Sequence, residues 1–148
     1  MKRLLSILFV AATILCLLPM QALAAEKEIA YYPDGSYTTT EIIRLGSRAS
    51  GSTSGSKVKN HYDSDGNLKW KATLTGSFTY TGFSATCTSS SISTTIYDST
   101  WSTGSKSSSK SGSTAKGSVT MNRKLNGVTA KSVTANLSLT CSANGKLS

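Results

Sequence analysis

Apolar and polar residues alternate without a break from Leu68 to Tyr80. Leu68, Trp70, Ala72, Leu74, Gly76, Phe78 and Tyr80 fall on one phase, against Lys69, Lys71, Thr73, Thr75, Ser77 and Thr79. A period of two over that length predicts a long strand with one buried face. Gly76, in its middle, predicts a bend or bulge. A second strand is expected over 114–125, with Ala115, Gly117, Val119, Met121 and Leu125 on one face. Asn126-Gly127 follows, a strong hairpin signal because both residues tolerate positive φ. The return strand, 128–141, turns Val133, Ala135, Leu137, Leu139 and Cys141 inward. Val128 is out of phase with that set, which places a bulge near Ala130–Ser132.

Shorter strands are expected at Ile29–Tyr32, 36–45, Lys57–Tyr62 and Ile92–Tyr97, with turns at Pro33-Asp34-Gly35 and Asp65-Gly66. The stretch 104–113 reads either as a polar edge strand or as a loop. The Gly/Ser/Thr-rich stretch 47–56 reads as a flexible loop, and Tyr80–Thr88 as a single turn or irregular corner. No amphipathic helix of three turns is present. Seven or eight antiparallel strands with hairpin connections predict an all-β domain, an antiparallel β-sandwich, with an up-and-down barrel as the alternative. Cys87, Trp101 and Cys141 echo the Cys–Trp–Cys spacing of immunoglobulin domains. Leu139 stands where those domains have tyrosine, and few residues follow Cys141, so the expectation is immunoglobulin-like architecture at most.

The N-terminus changes which residues matter. Met1-Lys2-Arg3, an apolar run from Leu4 to Met20 and Gln21-Ala22-Leu23-Ala24 form a basic, a hydrophobic and an A-x-A cleavage region. They predict a signal peptide over 1–24 and a single domain over 25–148. Leu15 precedes Cys16 where a lipid-attachment motif needs a small residue, so lipid anchoring is discounted. No later segment is apolar enough to be a transmembrane helix. The chain is therefore expected outside the cell, secreted or cell-wall associated.

Within 25–148 there are 26 Ser and 19 Thr, a composition that would suit disorder were the apolar residues not periodic. The segment carries 14 basic and 7 acidic residues, unevenly spread: 25–65 sums to −1 and 66–148 to +8. A basic half favours anionic partners through its long-range field. Lys69, Lys71, Lys116 and Lys124 are the outward-phase candidates for that contact. Nucleic acid is not expected, because arginine clusters are lacking and the protein is exported.

After cleavage Cys87 and Cys141 are the only cysteines, and an exported pair predicts a structural disulfide. It would close a loop of about 55 residues and contribute about 2–4 kcal/mol. Redox or nucleophilic chemistry is not expected, since there is no CxxC and the neighbouring Thr and Ser carry no charge to lower a thiol pKa.

Catalytic patterns are weak. His61 is the only histidine and reads as a surface or packing residue of its strand. Gly51-Ser52-Thr53-Ser54-Gly55 puts threonine at the nucleophile position of GxSxG, and the three SxxK matches lack their partner motifs. Asp34, Asp63 and Asp65 sit in turns, where aspartate is favoured for backbone hydrogen bonds. Glu41 and Asp98 are not paired by anything in the sequence. Asp63-Ser64-Asp65-Gly66-Asn67 resembles the opening of a calcium loop, but its glycine falls early and Leu74 stands at the place of the final glutamate. The expectation is therefore no enzyme, no metal and no cofactor. Most aromatics fall on inward phases. Tyr31, Tyr32 and Trp101, near turns, are the ones expected to be exposed and able to stack on a glycan.

Three segments carry a resemblance: Tyr62–Trp70, Lys106–Gly112 and Leu139–Ser148. They are similar to small exported, uncharacterised β-sandwich proteins of Gram-positive bacteria, over most of 25–148. The resemblance implies one exported domain ending shortly after the second cysteine, and no activity. The resulting expectation is a non-catalytic binding protein for an anionic cell-wall polymer or glycan, through a basic, hydroxyl-rich surface. A protein-interaction module, an inhibitor or toxin-like effector acting on another secreted protein, is the alternative, marked by a contiguous exposed apolar patch.

Overall fold

A computed structural model describes residues 27–45 and 51–148. The expected signal peptide, Cys16 and residues 47–50 of the expected loop lie outside the described residues. The described chain forms eight strands: β1 (Glu28–Tyr31), β2 (Tyr37–Arg44), β3 (Ser52–Tyr62), β4 (Leu68–Tyr80), β5 (Ala85–Ile96), β6 (Trp101–Ser111), β7 (Thr114–Leu125) and β8 (Val128–Thr140). They make two antiparallel sheets, β1-β2-β3-β4-β5 and β6-β7-β8, packed face to face as in a sandwich. Two separate sheets set aside the closed barrel. Within each sheet every strand pairs with its neighbour in sequence and only the β5–β6 connection crosses between sheets, so each sheet is a plain meander without the Greek-key crossover of immunoglobulin domains.

The core is built from the predicted inward phases. Trp70, Ala72, Leu74 and Phe78 of β4 meet Ala115, Val119 and Met121 of β7 and Val133, Ala135, Leu137 and Leu139 of β8. Gly76 and Gly117 let the sheets approach. A Cβ on Gly76 would stand 3.0 Å from Ala115 Cβ, and one on Gly117 would stand 2.9 Å from the Cδ1 atoms of Leu74 and Ile92. Gly76 thus serves packing between sheets. The nearby bulge is on the partner strand, where Ser77 pairs with Ser89 and Phe78 with Cys87, leaving Thr88 over.

The β7–β8 hairpin follows its sequence. Asn126 and Gly127 have φ of 52° and 79°, the positive pair of a type I′ turn. Arg123 pairs with Lys131 and Lys124 with Thr129, so Ala130 is the bulged residue. Two expectations change, and one open alternative is decided. Ser52–Ser56, expected in a loop, belongs to β3 and pairs with β4, Ser52 opposite Thr79. The strand expected at Ile92–Tyr97 begins at Ala85, and the corner before it shrinks to a tight turn in which Thr81 N–H donates to Ser84 O at 3.0 Å. The stretch 104–113 is an edge strand through Ser111, long, polar and exposed beyond Ser102. In each case paired backbone, which composition does not report, overrides a run of small polar residues.

The structure holds no Cys87–Cys141 disulfide. Both side chains are buried in the same core cluster. Their backbones are pinned on either side of the β6–β7 turn, Cys87 N–H donating to Gly112 O at 2.8 Å and Cys141 N–H to Ser113 O at 2.9 Å. Each thiol turns to a nearby carbonyl: Cys87 Sγ donates to Ser89 O at 3.2 Å and Cys141 Sγ to Ser142 O at 3.4 Å. Burial pushes the Cys87 thiol pKa up, which keeps it protonated and unreactive.

Candidate functional site

The outer face of the three-stranded sheet is a ladder of hydroxyls and amides. Antiparallel pairing puts outward residues of adjacent strands opposite one another, and they bond across the strands. Ser105 Oγ donates to Thr120 Oγ1 at 3.3 Å, and Thr120 Oγ1 meets Thr134 Oγ1 at 3.2 Å. Ser118 Oγ donates to Asn136 Oδ1 at 2.8 Å, and Ser132 Oγ to Asn122 Oδ1 at 2.7 Å. Lys116 interrupts the ladder. It pairs with Ser109 on one side and Ser138 on the other, and it lines a groove of about 370 Å³ with Ser107, Ser118 and Asn136. Lys116 makes no ion pair among the described residues. Residues 101–140 hold six basic residues and no acid, so nothing on these strands offsets the charge.

The other predicted residues separate into distinct places. Lys71 lies on the outer face of β4, in register between Asn60 and Thr95. Lys124 is exposed at the end of β7, where its backbone N–H donates to Thr100 O at 2.7 Å. Lys69 is engaged, 3.0 Å from Asp63 and 3.1 Å from Asp98. Asp63 first of all, then Asp98, pushes the Lys69 pKa up. Tyr31 is 75% exposed on β1 and begins a cross-strand row in which Tyr37 lies 5.7 Å away and Tyr62 stacks on Tyr37 at 4.9 Å.

Tyr32 and Trp101 are not the exposed aromatics expected. Trp101 is 5% exposed and half-buried Tyr32 packs against the core. They enclose His61, which is 1% exposed. The His61 ring stacks on Trp70 at 5.0 Å, with Trp101 edge-on at 5.1 Å and Tyr32 edge-on at 5.8 Å. Register causes this, since His61 pairs with Trp70 across β3–β4 and with Thr38 across β2–β3. Burial, and then the Lys131 charge, push the His61 pKa down to about 4, so the ring is neutral at pH 7. Its Nδ1 is buried without a hydrogen-bond partner among the described residues.

The Asp63 turn spends its carboxylate on protein donors. Asp63 Oδ1 accepts the Asn67 N–H at 2.7 Å and the Asp65 N–H at 3.0 Å, and Oδ2 accepts Asn67 Nδ2 at 3.1 Å. Those bonds, the Asn67 N–H foremost, hold its pKa well below the usual carboxylate range. This is the geometry of a capped hairpin turn. Asp98 is held likewise, at about 2, by the Thr100 hydroxyl and N–H at 2.7 and 2.9 Å and by Lys69.

Two cations escaped the sequence reading, Arg123 and Lys131. A signal was available: the inward phases of β7 and β8, extended one step from Met121 and from Val133 toward the hairpin turn, reach them. Lys131 pairs with Asp34, donates to Ser36 Oγ at 3.0 Å and lies 5.2 Å from the centre of the Tyr32 ring. The exposed large apolar side chains are spread over β1, β2 and its following residue, the β4–β5 turn, the end of β5 and the β7–β8 hairpin. The chain matches no protein-family model, no curated protein and no solved structure.

Proposed function

We propose that this protein is a secreted, non-catalytic binding module that holds an anionic cell-wall polymer, of the teichoic-acid or acidic-glycan type, on the outer face of its three-stranded sheet. The observation that carries the proposal is the groove around Lys116: an unpaired ammonium set among serine hydroxyls and an asparagine amide, on strands with no acidic residue. An ammonium attracts phosphate or carboxylate, and flanking hydroxyls and amides donate to and accept from polymer hydroxyls. Export rests on the N-terminal pattern of Lys2, Arg3, the apolar run and Ala22–Ala24.

The test is retention on purified cell wall at low and at high salt, with wall stripped of its anionic polymer as control. Retention should fall steeply with salt, because exposed charges are screened beyond about 8–10 Å at physiological ionic strength. Lys116→Glu reverses the charge in the groove and should cut retention at least about fivefold at low salt. Failure of the protein to bind wall at low salt, or equal binding to stripped wall, sinks the proposal.

A further inference from the structure

A second concavity lies at the opposite face of the three-stranded sheet, toward the core. Three chain reversals meet there: the β1–β2 turn with Asp34 and Ser36, the β3–β4 turn with Asp63 and Ser64, and the turn end of the β7–β8 hairpin with Arg123 and Lys131. They enclose about 240 Å³ over His61 and Trp101.

The charges around it are built in pairs. Asp34 faces Lys131, and its Oδ1 accepts the Ser36 hydroxyl at 2.6 Å and the Ser36 N–H at 3.2 Å. Asp63 faces Lys69, whose far side is closed by Asp98. The Asp63–Lys69 pair is saturated by the turn and by Asp98 and serves as a wall. The Asp34–Lys131 pair sets an acceptor beside a donor, since Asp34 is half exposed and its Oδ2 takes only Lys131. A sugar hydroxyl both donates and accepts, so neighbouring hydroxyls on one ring match such a pair. Arg123 is the remainder. It is exposed, it lines the same cavity, and it has no carboxylate partner among the described residues. A guanidinium presents five donors in a planar fork that takes a carboxylate or phosphate two oxygens at a time. The volume falls below the about 300–1,000 Å³ of drug-sized sites, which suits one sugar residue rather than a chain.

From this geometry we infer a binding site for a single sugar residue bearing an acidic group, its hydroxyls on the Asp34–Lys131 pair and its carboxylate or phosphate on Arg123. The site is separate from the Lys116 groove, so either can fail without the other.

The experiment is a titration followed by the NMR signals of the Trp101 indole and the His61 ring, with glucuronate, glucose 6-phosphate, glucose and inorganic phosphate as probes. Glucuronate or glucose 6-phosphate should shift these signals and saturate in the millimolar range, and whichever binds more tightly identifies the acid. Arg123→Ala should weaken that binding at least about tenfold, the loss expected of a charge-assisted pair. Lys116→Glu should leave it unchanged. Arg123 is exposed, so its variant should fold, and an unchanged far-ultraviolet spectrum checks that. Asp34→Asn, at a carboxylate half exposed on its turn, is a second variant and should also weaken binding. Glucose binding as tightly as the acidic sugars, inorganic phosphate binding as tightly as glucose 6-phosphate, or no shift with any probe overturns the inference.

Discussion

Acidification should destabilise this protein through one ring, His61. The ring is neutral and buried between Trp70, Trp101 and Tyr32 in the folded chain. Unfolding returns it to water and to its ordinary pKa of 6.5, against about 4 when folded. Above pH 6.5 neither state is protonated and the full stability is present. Between pH 6.5 and 4 the unfolded state takes up a proton that the folded state refuses, and stability falls by up to about 1.4 kcal/mol per pH unit. Below pH 4 the folded ring also titrates and the loss levels off. The gap between the two values corresponds to about 3 kcal/mol, and screening through the open mouth of the cavity reduces it to about 2 kcal/mol. His61→Phe isolates the effect. Phenylalanine keeps a ring in the stack, and His61 Nδ1 has no hydrogen bond to lose. Urea denaturation of both proteins from pH 7.5 to 4 gives the comparison. Asp34, Asp63 and Asp98, whose pKa values folding lowers, are common to both proteins and cancel. The stability difference between wild type and variant should move by about 2 kcal/mol against wild type over that range. A difference that stays constant within about 0.5 kcal/mol, or a His61 ring that titrates near 6.5 in the folded protein, refutes the reasoning.

Packing and cysteine chemistry give further tests. Gly117→Ala puts a methyl 2.9 Å from Leu74 and Ile92, and should cost about 1–3 kcal/mol in thermal denaturation by overpacking the sheets. Trp101→Ala should cost about 3–5 kcal/mol, because the indole is 5% exposed and packed into the core. Phe83, 98% exposed on the β4–β5 turn, should change to Ser with less than about 0.5 kcal/mol effect on the same measurement. Unfolded without reductant, the protein should be alkylated at both Cys87 and Cys141 on peptide mapping; a protected, unreactive pair would restore the disulfide.

The strands were legible wherever a face is buried. The alternation at Leu68–Tyr80 and 128–140, the Asn126-Gly127 turn and the bulge near Ala130 all follow from local rules: period two, positive φ, and a break in phase. Strands of small polar residues were less legible. Ser52–Ser56 and Ala85–Ser91 are held by ladder hydrogen bonds, which any residue but proline can make, so composition did not separate them from loops. Phase also carried part of the sites, since Lys116 falls on the outward face of β7 and Arg123 and Lys131 continue the inward faces.

By itself the sequence determined an all-β chain, its long amphipathic strands, its core-facing residues and the basic excess of its second half. Those are properties of one strand at a time. Only the tertiary structure decided that the sheets divide five and three, that both cysteines are buried beside the β6–β7 turn, and that His61 lies between two tryptophans. It alone brought Asp34, Asp63, Lys69, Arg123 and Lys131, from turns and strand ends far apart in the chain, around one cavity. The physical reason is that alternation fixes which face a side chain takes. Pairing register and the stacking of the sheets fix which neighbours it meets there.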